Sequence, residues 1–438
     1  MENKTGRLSI EIFYASLNEV NPYNMVKSYT DTIRSIYQDN TFNRLLVIGF
    51  GKAACYMAKA MEEQFKNVIA AGIVITKHSH CPSQYRPDKI KVLEAGHPVP
   101  DEKGLQATEE IVKLVSCIDE KTLIVCLISG GGSALLVSPY KGITLSEKQK
   151  ITELLLKAGA TIDELNAVRK HISKVKGGRL AEFAYPAKII SLIISDVIGD
   201  RFDVIASGPT SPDTTTYNKA LSILEKYGLI EKVPQSILSV LHKGTNGSIP
   251  ETPKEGNRIF EKVENIIIGN NKKALNAAVE KARELGLDAE IISTEISGEA
   301  KEVGKWLAKK AIETRNELSV KRNKKICLIS GGETTVTVRS NGKGGRNMEL
   351  ALSFAMEIEG IDGITLLSAG TDGTDGPTDA AGAIVNGNTV SKAKSIGLNP
   401  EEYLENNDSY TFFKKIDELF VTGPTGTNVM DIQIAAIE

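Results

Sequence analysis

Residues 123–133 read LIVCLISGGGS, and this stretch decides the fold. Its six leading residues are apolar without polar alternation, which is typical of a strand in a parallel sheet covered on both faces. The strand ends in three glycines between Ser129 and Ser133, so backbone N–H groups and two hydroxyls meet at one strand end. Such a nest favours phosphate or carboxylate oxygens. The alternative is a plain tight turn, although three consecutive glycines are more than a turn needs.

Similar apolar runs recur along the chain and alternate with helical patterns. They lie at residues 44–48, 71–76, 91–94, 189–195, 265–270, 289–293, 325–333 and 364–367. Strands that alternate with helices predict an α/β architecture with mostly parallel sheets. Residues 334–339 alternate polar and apolar side chains and predict a further, exposed strand.

Length and charge narrow the class of protein. The chain of 438 residues is long enough for two or three domains with real cores. A net charge of −2 and an aromatic content of 5% disfavour nucleic-acid and membrane-surface partners. The amino-terminal segment lacks an uninterrupted apolar core, and the apolar run at 189–194 is too short to span a bilayer. We therefore expect a cytoplasmic protein.

Five cysteines are scattered along the chain: Cys55, Cys81, Cys117, Cys126 and Cys327. Without a C-x-x-C pair, they predict reduced, buried thiols of a cytosolic protein. The segment KHSHC at 77–81 groups two histidines with a cysteine, but a metal site there would lack a second ligand pair. A polar loop after a strand is the favoured interpretation.

The segment GFGKAA at 49–54 follows a predicted strand and precedes a predicted helix. Gly49 and Gly51 satisfy the dinucleotide-binding pattern G-x-G-x-x-A. That pattern expects an acidic residue at the end of the second strand, where this chain has Lys77. We therefore favour anion binding by Lys52 at a helix amino terminus.

The segment KGGRN at 343–347 opens another predicted helix. An arginine at the position of Arg346 can fork onto carboxylate or phosphate oxygens while the helix dipole assists. A solvated arginine in a turn is the alternative.

The stretch SAGTDGTDGPTDAAGA at 368–383 packs three aspartates among glycines after an apolar strand. Close carboxylates repel one another unless a cation or hydrogen-bond donors lie among them. Asp372 and Asp375 are therefore candidate metal ligands, whereas Asp379 is interpreted as structural. The alternative is a surface turn with solvated aspartates.

Five further residues carry candidate chemistry. Asn166, Arg169 and Lys170 belong to a basic helical segment that, taken alone, is most often a solvated face. Asp196 follows the apolar strand at 189–195 and is a candidate base or metal ligand. His97, between glycine and proline, is either a site residue or a satisfied loop histidine.

Two pairs of similar segments suggest that the chain contains two related α/β halves. VIGFGKAA at 47–54 resembles IIGNNKKA at 267–274, and CLISGGGS at 126–133 resembles CLISGGET at 327–334. We interpret each pair as equivalent glycine-rich strand ends, one from each half, that line a single cleft. The alternative is that parallel sheets reuse strand–glycine endings.

Together, several motifs resemble the class II glycerate 2-kinases with a carboxy-terminal MOFRL domain. These motifs are GKAA, EAGHPVPDEKGLQAT, LISGGGSALL, NAVRKHISKVKGGRLA, ISDVIGD, IASGPT, SGGETTVTV, GKGGRNMELAL and SAGTDGTDGPTDAAGA. The resemblance implies transfer of a phosphoryl group from ATP, with a divalent cation that is usually Mg²⁺, to D-glycerate to give 2-phosphoglycerate. It also implies that Lys52 and Arg346 are catalytic. The segment KHSHC departs from the family's KYGH, and only His80 matches.

The residue patterns and the resemblance together lead us to expect a fold and a set of site residues. Residues 1–241 would form a Rossmann-like three-layer αβα sandwich, 242–258 a linker and 259–438 a smaller α/β domain with a MOFRL region at about 325–432, with the active site in the cleft between them. The residues expected to contact substrate or nucleotide are Gly49, Gly51, His97, Ser129, Gly130, Gly131, Gly132, Ser133, Asn166, Arg169, Lys170, Gly331, Gly332, Glu333, Gly344, Gly345 and Asn347. Asp196 is expected beside Lys52 and Arg346 in catalysis, and Asp372 and Asp375 are expected to bind metal.

Two other functions stay open, and so do a monomer and a homodimer. An NAD(P)H-dependent hydroxypyruvate reductase would use the glycine pattern at 49–54, against which Lys77 counts. A non-enzymatic sugar-acid-binding protein would need a DNA-binding or partner module, for which we find no spare segment.

Overall fold

The computed structural model describes residues 4–40, 42–318 and 325–438. The chain forms two compact units. The first unit spans Pro22–Ile268, and the second joins the chain up to Asn21 to Gly269–Glu438. Each unit is built on its own β-sheet, which confirms the predicted α/β class.

The elements of the described residues are as follows in chain order. The strands are β1 (Arg44–Phe50), β2 (Ile69–Lys77), β3 (Lys91–Ala95), β4 (Thr122–Ile128), β5 (Lys188–Ile194), β6 (Val263–Gly269), β7 (Asp288–Ile296), β8 (Ile326–Gly332), β9 (Ile364–Gly370), β10 (Gly382–Asn386), β11 (Leu419–Phe420) and β12 (Asp431–Ile437). The helices are α1 (Lys4–Glu19), α2 (Pro22–Ser28), α3 (Thr30–Asp39), α4 (Ala54–Phe65), α5 (Glu102–Val115), α6 (Gly132–Leu135), α7 (Leu145–Lys157), α8 (Ile162–His171), α9 (Arg179–Ala184), α10 (Tyr217–Lys226), α11 (Gln235–Thr245), α12 (Asn271–Glu284), α13 (Ala300–Leu318), α14 (Arg346–Glu357), α15 (Thr389–Ser395), α16 (Pro400–Glu405) and α17 (Ser409–Ile416).

The sheet of the first unit has the strand order β3-β2-β1-β4-β5-β6. Strands β1 to β5 pair in parallel, and β4 is buried along its whole length, as its apolar sequence predicts. Helices α4 and α5 pack against β1, β2 and β3. This is the strand order of Rossmann folds, and it reverses between β1 and β4. The predicted Rossmann-like architecture is therefore confirmed.

The sheet of the second unit is mixed, with the order β11-β10-β9-β12-β8-β7. Strand β7 pairs with β8 in parallel, and the other neighbouring strands pair antiparallel. Helix α14 packs against β9, β10 and α13. Strand β12 is buried at every position and lies between β8 and β9, so the last strand of the chain is central to this sheet.

The amino-terminal helix belongs to the second unit rather than to the first. Helix α1 buries Ile12 and Phe13 and packs against α12, β9 and β12. The rings of Phe13 and Phe420 meet edge to face, with centroids 5.2 Å apart. This apolar stripe attaches the start of the chain to a sheet that forms more than two hundred residues later.

The segment expected to link two domains packs on the first unit. Thr252 donates a hydrogen bond of 2.9 Å to the buried carboxylate of Asp213, and Glu251 Oε1 lies 3.0 Å from Nε2 of the buried His171. Strand β6 then pairs beside β5 in the first sheet. The compact first unit therefore extends beyond residue 241, to Ile268.

Two local expectations differ from the structure. Residues 334–339 form no strand and contribute only an isolated bridge between Thr335 and Glu299. The two sheets have different strand orders, and β6, whose sequence resembles that of β1, lies in the same sheet as β1. The similarity between the paired segments therefore reflects reused strand–glycine endings rather than two related halves.

The prediction of reduced cysteines is wrong for one pair. Cys55 and Cys81 form a disulfide with their Cα atoms 5.5 Å apart, because the fold brings the first turn of α4 against the loop after β2. Cys126 and Cys327 are buried free thiols, as expected, whereas Cys117 is exposed. Among the described residues, no helix has both the length and the apolar character needed to cross a bilayer.

The buried carboxylate of Asp213 should be a main contributor to the stability of the first unit. It accepts hydrogen bonds from Lys170 Nζ at 3.1 Å, from Thr215 and from Thr252. We expect Asp213→Ala to lower the free energy of unfolding by about 3–5 kcal/mol, because it leaves a buried ammonium short of its nearest partner. Chemical denaturation of Asp213→Ala and wild type measures this difference.

A matched control is Asp163→Ala, which removes an exposed aspartate paired with Arg201 at 3.0 Å. That change should cost less than about 1 kcal/mol, because water screens exposed ion pairs. Equal losses for the two variants would contradict a structural role for Asp213.

Candidate active site

The loops after β1 and β4 meet where the strand order of the first sheet reverses. Phe50 pairs with Ile128 at the carboxyl ends of these neighbouring strands. The loop after β1 carries Lys52, and the loop after β4 is the glycine-rich segment 129–133. In open α/β sheets, ligands bind in the crevice at this reversal.

Direct hydrogen bonds join the two loops. The Lys52 N–H donates to the Gly130 carbonyl at 2.9 Å, and the Ala53 N–H donates to Ser129 Oγ at 3.0 Å. Gly51 has a φ of +136°, and a Cβ at this position would overlap the Ser129 side chain. Gly49 is similarly constrained, since a Cβ there would lie 2.8 Å from the Leu127 carbonyl oxygen. Both predicted glycines therefore serve the close approach of the loops, and Ser129 uses its hydroxyl to hold Lys52 in place.

His97 and Lys52 lie against the glycine-rich loop. A Cβ on Gly131 would lie 2.9 Å from His97 Cδ2 and 3.4 Å from Lys52 Cγ. A Cβ on Gly132 would lie 2.9 Å from the methyl group of Ala206. Because glycine has no side chain, the loop leaves room for the imidazole of His97 and the stem of Lys52. Three of the predicted site residues are therefore brought together: Lys52, His97 and Gly131.

The far end of the same loop is tied to a polar chain. Ser133 Oγ hydrogen-bonds Ser207 Oγ, which donates to Asn166 Oδ1 at 2.9 Å. Ser207 is fully buried and has a φ of +63°, a strained conformation for a serine. Sequence reasoning placed Ser133 and Asn166 in the site but not Ser207, although Ser207 lies in the motif IASGPT that carries part of the family resemblance.

The other predicted residues of the first unit have different surroundings. Asp196 is half-buried just past the end of β5, the strand beside β4. Lys170 is buried, with its ammonium 3.1 Å from Asp213 and 3.6 Å from Asp203. Arg169 is half-buried, and burial lowers its pKa to about 10. Lys170 therefore has acidic partners in the protein itself, which the basic pattern of the sequence did not indicate.

In the second unit, Arg346 forms a forked ion pair. Its Nε and Nη2 donate to the two carboxylate oxygens of Asp431 at 2.6 and 3.0 Å, and Nη1 donates to Glu333 Oε1 at 2.6 Å. Burial alone would lower the pKa of Arg346, but Asp431 and Glu333 raise it above its ordinary value. Burial raises the pKa of Asp431, and Arg346 opposes that rise. The guanidinium is therefore held charged and in a fixed orientation. Sequence reasoning missed Asp431, because it opens a strand that none of the predicted apolar runs includes.

Asp375 caps the helix that Arg346 opens. Its oxygens accept the N–H groups of Asn347 at 3.1 Å and Met348 at 2.8 Å. Burial raises the pKa of Asp375 to about 7, against the lowering effect of these two donors. A Cβ on Gly345 would overlap this carboxylate, so the glycine makes the cap possible. Asp375, predicted as a metal ligand, thus supplies the missing side-chain cap of α14.

Asp372 lies in a different environment, half-buried in the same loop. Its Oδ1 accepts from the N–H and the hydroxyl of Thr374 at 3.0 and 2.9 Å. The described residues contain no group of three or more His, Cys, Asp or Glu side chains that could hold a metal ion. A cation at Asp372 would therefore depend on ligands from outside the protein, such as phosphate oxygens or water.

The remaining predicted residues of the second unit are three glycines at close approaches of the backbone and a buried asparagine. A Cβ would overlap Asn271 at Gly331, the Ile296 backbone at Gly332 and the Ser409 hydroxyl at Gly344. Asn347 is buried and accepts a hydrogen bond of 2.8 Å from Ser368 through its Oδ1.

A pocket of about 610 Å³ opens beside these residues within the second unit. Its polar lining includes Arg346 and the carboxylates of Glu349, Asp372 and Asp375. Val336, Val338 and Pro377 supply apolar lining that can receive a flat ring. Because three carboxylates line the pocket with one arginine, a phosphate ligand there would need to bring a metal ion.

Comparisons with known proteins agree with these motifs. Residues 8–242 match the model of a domain of unknown function, DUF4147, and residues 326–431 match the MOFRL family. A D-glycerate 2-kinase of Thermotoga maritima is 46% identical over 98% of this chain and 98% of its own length. A candidate hydroxypyruvate reductase of Agrobacterium vitis is 42% identical over 90% of this chain and 87% of its own length.

A solved structure supports the same assignment. The crystal structure of a glycerate kinase from Thermotoga maritima matches with a TM-score of 0.87 and 45% identity, over 99% of both chains. Since the matches span nearly the whole chain, the chain belongs to the glycerate kinase family, with a DUF4147 domain followed by a MOFRL domain.

Proposed function

We propose that this protein transfers the terminal phosphoryl group of ATP, with Mg²⁺, to the 2-hydroxyl of D-glycerate. The observation that carries the proposal is the position of Lys52, which hydrogen bonds fix beside a glycine-rich loop at the reversal of a Rossmann-type sheet. The kinship with a D-glycerate 2-kinase over 98% of the chain supports the choice of reaction.

Phosphoryl transfer needs positioned cations more than covalent chemistry, because negative charge develops on the transferring oxygens. Lys52 supplies an ammonium on a loop whose backbone is held at several points. Arg346 supplies a guanidinium whose orientation is fixed by Asp431 and Glu333. We assign both to stabilising the transferring group or orienting the acceptor. The cleft predicted between the two domains stays a prediction.

The pocket in the second unit suits the nucleotide. Its apolar wall of Val336, Val338 and Pro377 can accept the base, and Arg346 and the nearby glycines can accept phosphates. Asp372 fits a magnesium ion that brings phosphate and water ligands of its own. When bound, that ion would neutralise phosphate charge. Asp196 is the proposed base for the attacking hydroxyl, since a carboxylate past a strand end beside the glycine-rich loop suits that role.

The reaction itself gives the first test. With D-glycerate, ATP and Mg²⁺, the protein should form ADP and 2-phosphoglycerate, and EDTA in excess over Mg²⁺ should abolish turnover. A coupled assay measures ADP, and ¹³C or ³¹P NMR identifies the phosphorylated carbon. Formation of 3-phosphoglycerate would refute the 2-hydroxyl assignment, and failure to turn over would refute the kinase assignment.

Lys52→Met tests the proposed role of the ammonium. We expect kcat to fall about 10²–10³-fold, the usual cost of removing one donor that stabilises developing charge. The melting temperature should stay close to that of wild type, because the loop is held by backbone groups. Lys77→Met, at the end of the neighbouring strand β2, is the control and should retain most activity. Near-normal turnover by Lys52→Met would remove Lys52 from the mechanism.

Arg346→Lys keeps the positive charge beside Asp431 but removes the fork. We expect kcat to fall about 10²-fold or more, because one ammonium cannot reproduce the planar array of donors. The exposed Arg339→Lys serves as the control. Kinetics should be measured well below both melting temperatures, so that a loss from unfolding is separated from a loss in catalysis. Equal kcat values for the two variants would contradict a catalytic Arg346.

Hydroxypyruvate reduction is the second candidate, because a relative 42% identical to this chain carries that name. The Rossmann strand order is compatible with a dinucleotide. Strand β2, however, ends at Lys77, where a ribose would need an acidic partner. Oxidation of NADH that depends on hydroxypyruvate would favour this candidate over the kinase.

A further inference from the structure

Three cationic side chains of the first unit lie close enough to repel one another, and none has an acidic partner in the described part of the chain. Lys148, from α7, is 4% exposed, and its Nζ has no hydrogen-bond partner in the described part of the chain. Lys176, just before α9, is fully buried, and its Nζ donates to the Ala206 carbonyl at 3.3 Å. Arg169, from α8, is half-buried. In the same described part, no carboxylate lies within 4.0 Å of any of the three cationic groups. We call Lys148, Arg169 and Lys176 the cation cluster.

The electrostatics of the cluster are unfavourable in the unliganded protein. Burial lowers the pKa of Lys148 to about 7, and the charge of Arg169 lowers it further. Burial also drives the pKa of Lys176 well below its ordinary value, with repulsion from Lys148 and Arg169 added. Proteins rarely bury cations in this way, because a desolvated charge without a counter-charge is costly.

A neighbouring lysine shows the contrast. Lys170 is buried to 2% exposure, as deeply as the cluster lysines, yet it lies 3.1 Å from Asp213 and 3.6 Å from Asp203. The first unit therefore provides acids where a buried lysine serves the fold. Their absence around the cluster among the described residues indicates that the missing negative charge comes from a ligand.

The cluster adjoins the glycine-rich loop. Lys176 bonds the carbonyl of Ala206, whose methyl group packs where a side chain on Gly132 would stand. The next residue, Ser207, hydrogen-bonds both Ser133 and Asn166. Asn166 lies one turn before Arg169 on α8 and therefore on the same side of that helix. An anion held by the cluster would thus lie next to the loop that positions Lys52.

We propose that Lys148, Arg169 and Lys176 form an oxyanion site that binds the carboxylate of the hydroxy-acid substrate, an assignment that rests on the proposed kinase function. A phosphate has the same oxyanion chemistry. A nucleoside triphosphate, however, is large and brings its own cation and water, so it suits an open pocket rather than a buried site. The carboxylate is small and is the only charge on D-glycerate. The buried cluster therefore selects an acid over an uncharged polyol.

Lys148→Met and Lys176→Met test the site, because methionine retains most of the lysine's length without its charge. Each should raise the KM for D-glycerate at least about tenfold, whereas the KM for ATP should change less than about twofold. The preference for D-glycerate over glycerol should fall by the same factor. Neither variant should melt below wild type when unliganded, because each removes a buried amine whose charged form burial disfavours. If the two lysines served only the fold, both variants would melt at lower temperatures than wild type.

Two further variants complete the set. Lys150→Met, at an exposed lysine of the same helix α7, is the control and should change neither KM value. Arg169→Gln changes the less buried member of the cluster and gives an independent measurement if a lysine variant folds poorly. It too should raise the KM for D-glycerate selectively.

Calorimetric titration separates this proposal from the proposed function. D-Glycerate should bind wild type without ATP, and the Lys148→Met variant should bind it at least tenfold more weakly. Binding without phosphorylation would refute the kinase but keep the site, whereas equal binding by the variant would refute the site. A raised KM for ATP with an unchanged KM for D-glycerate would show that the anion is a phosphate and would overturn the carboxylate assignment.

Discussion

The close contact between Gly51 and Ser129 is the constraint on which the candidate site of the first unit depends. Parallel strands β1 and β4 deliver their loops to the same edge, and a side chain at position 51 would force those loops apart. Because the contact is made, backbone N–H groups reach the Gly130 carbonyl and the Ser129 hydroxyl. The backbone that carries Lys52 is therefore fixed before any ligand arrives, which lowers the cost of ordering it on binding.

The buried charges differ in whether the fold itself supplies a partner. Lys170 has two acids, and Arg346 has Asp431 and Glu333, so their charges are balanced by the fold. Asp375 is balanced by the amide groups at the start of α14. Lys148 has no such partner in the described part of the chain. Residue type alone would treat Lys148 and Lys170 alike, and only their surroundings separate a scaffold ion pair from a ligand site.

Much of the fold could be predicted because it is encoded locally. The uninterrupted apolar run at 123–128 predicted a buried parallel strand, and the structure has it. The strands around 44–50, 69–77 and 188–194 were likewise found within about two residues of their observed ends. Strand β12 was not predicted. It follows the glycine-containing segment at 421–430, and its burial arises from strands β8 and β9, which are far away in the sequence.

The sequence by itself determined the alternation of strands and helices, the glycine-rich strand ends, and Lys52 and Arg346 as candidate cations, since each depends on residues within about ten positions. The tertiary structure alone decided that Asp431 orients Arg346, that Asp375 caps a helix, that Cys55 meets Cys81, and that α1 joins the second sheet. It also buried Lys148 and Lys176 and brought them within electrostatic reach of Arg169. The physical reason is that desolvation and pairing depend on which distant segments pack together, and a local pattern carries no record of that packing.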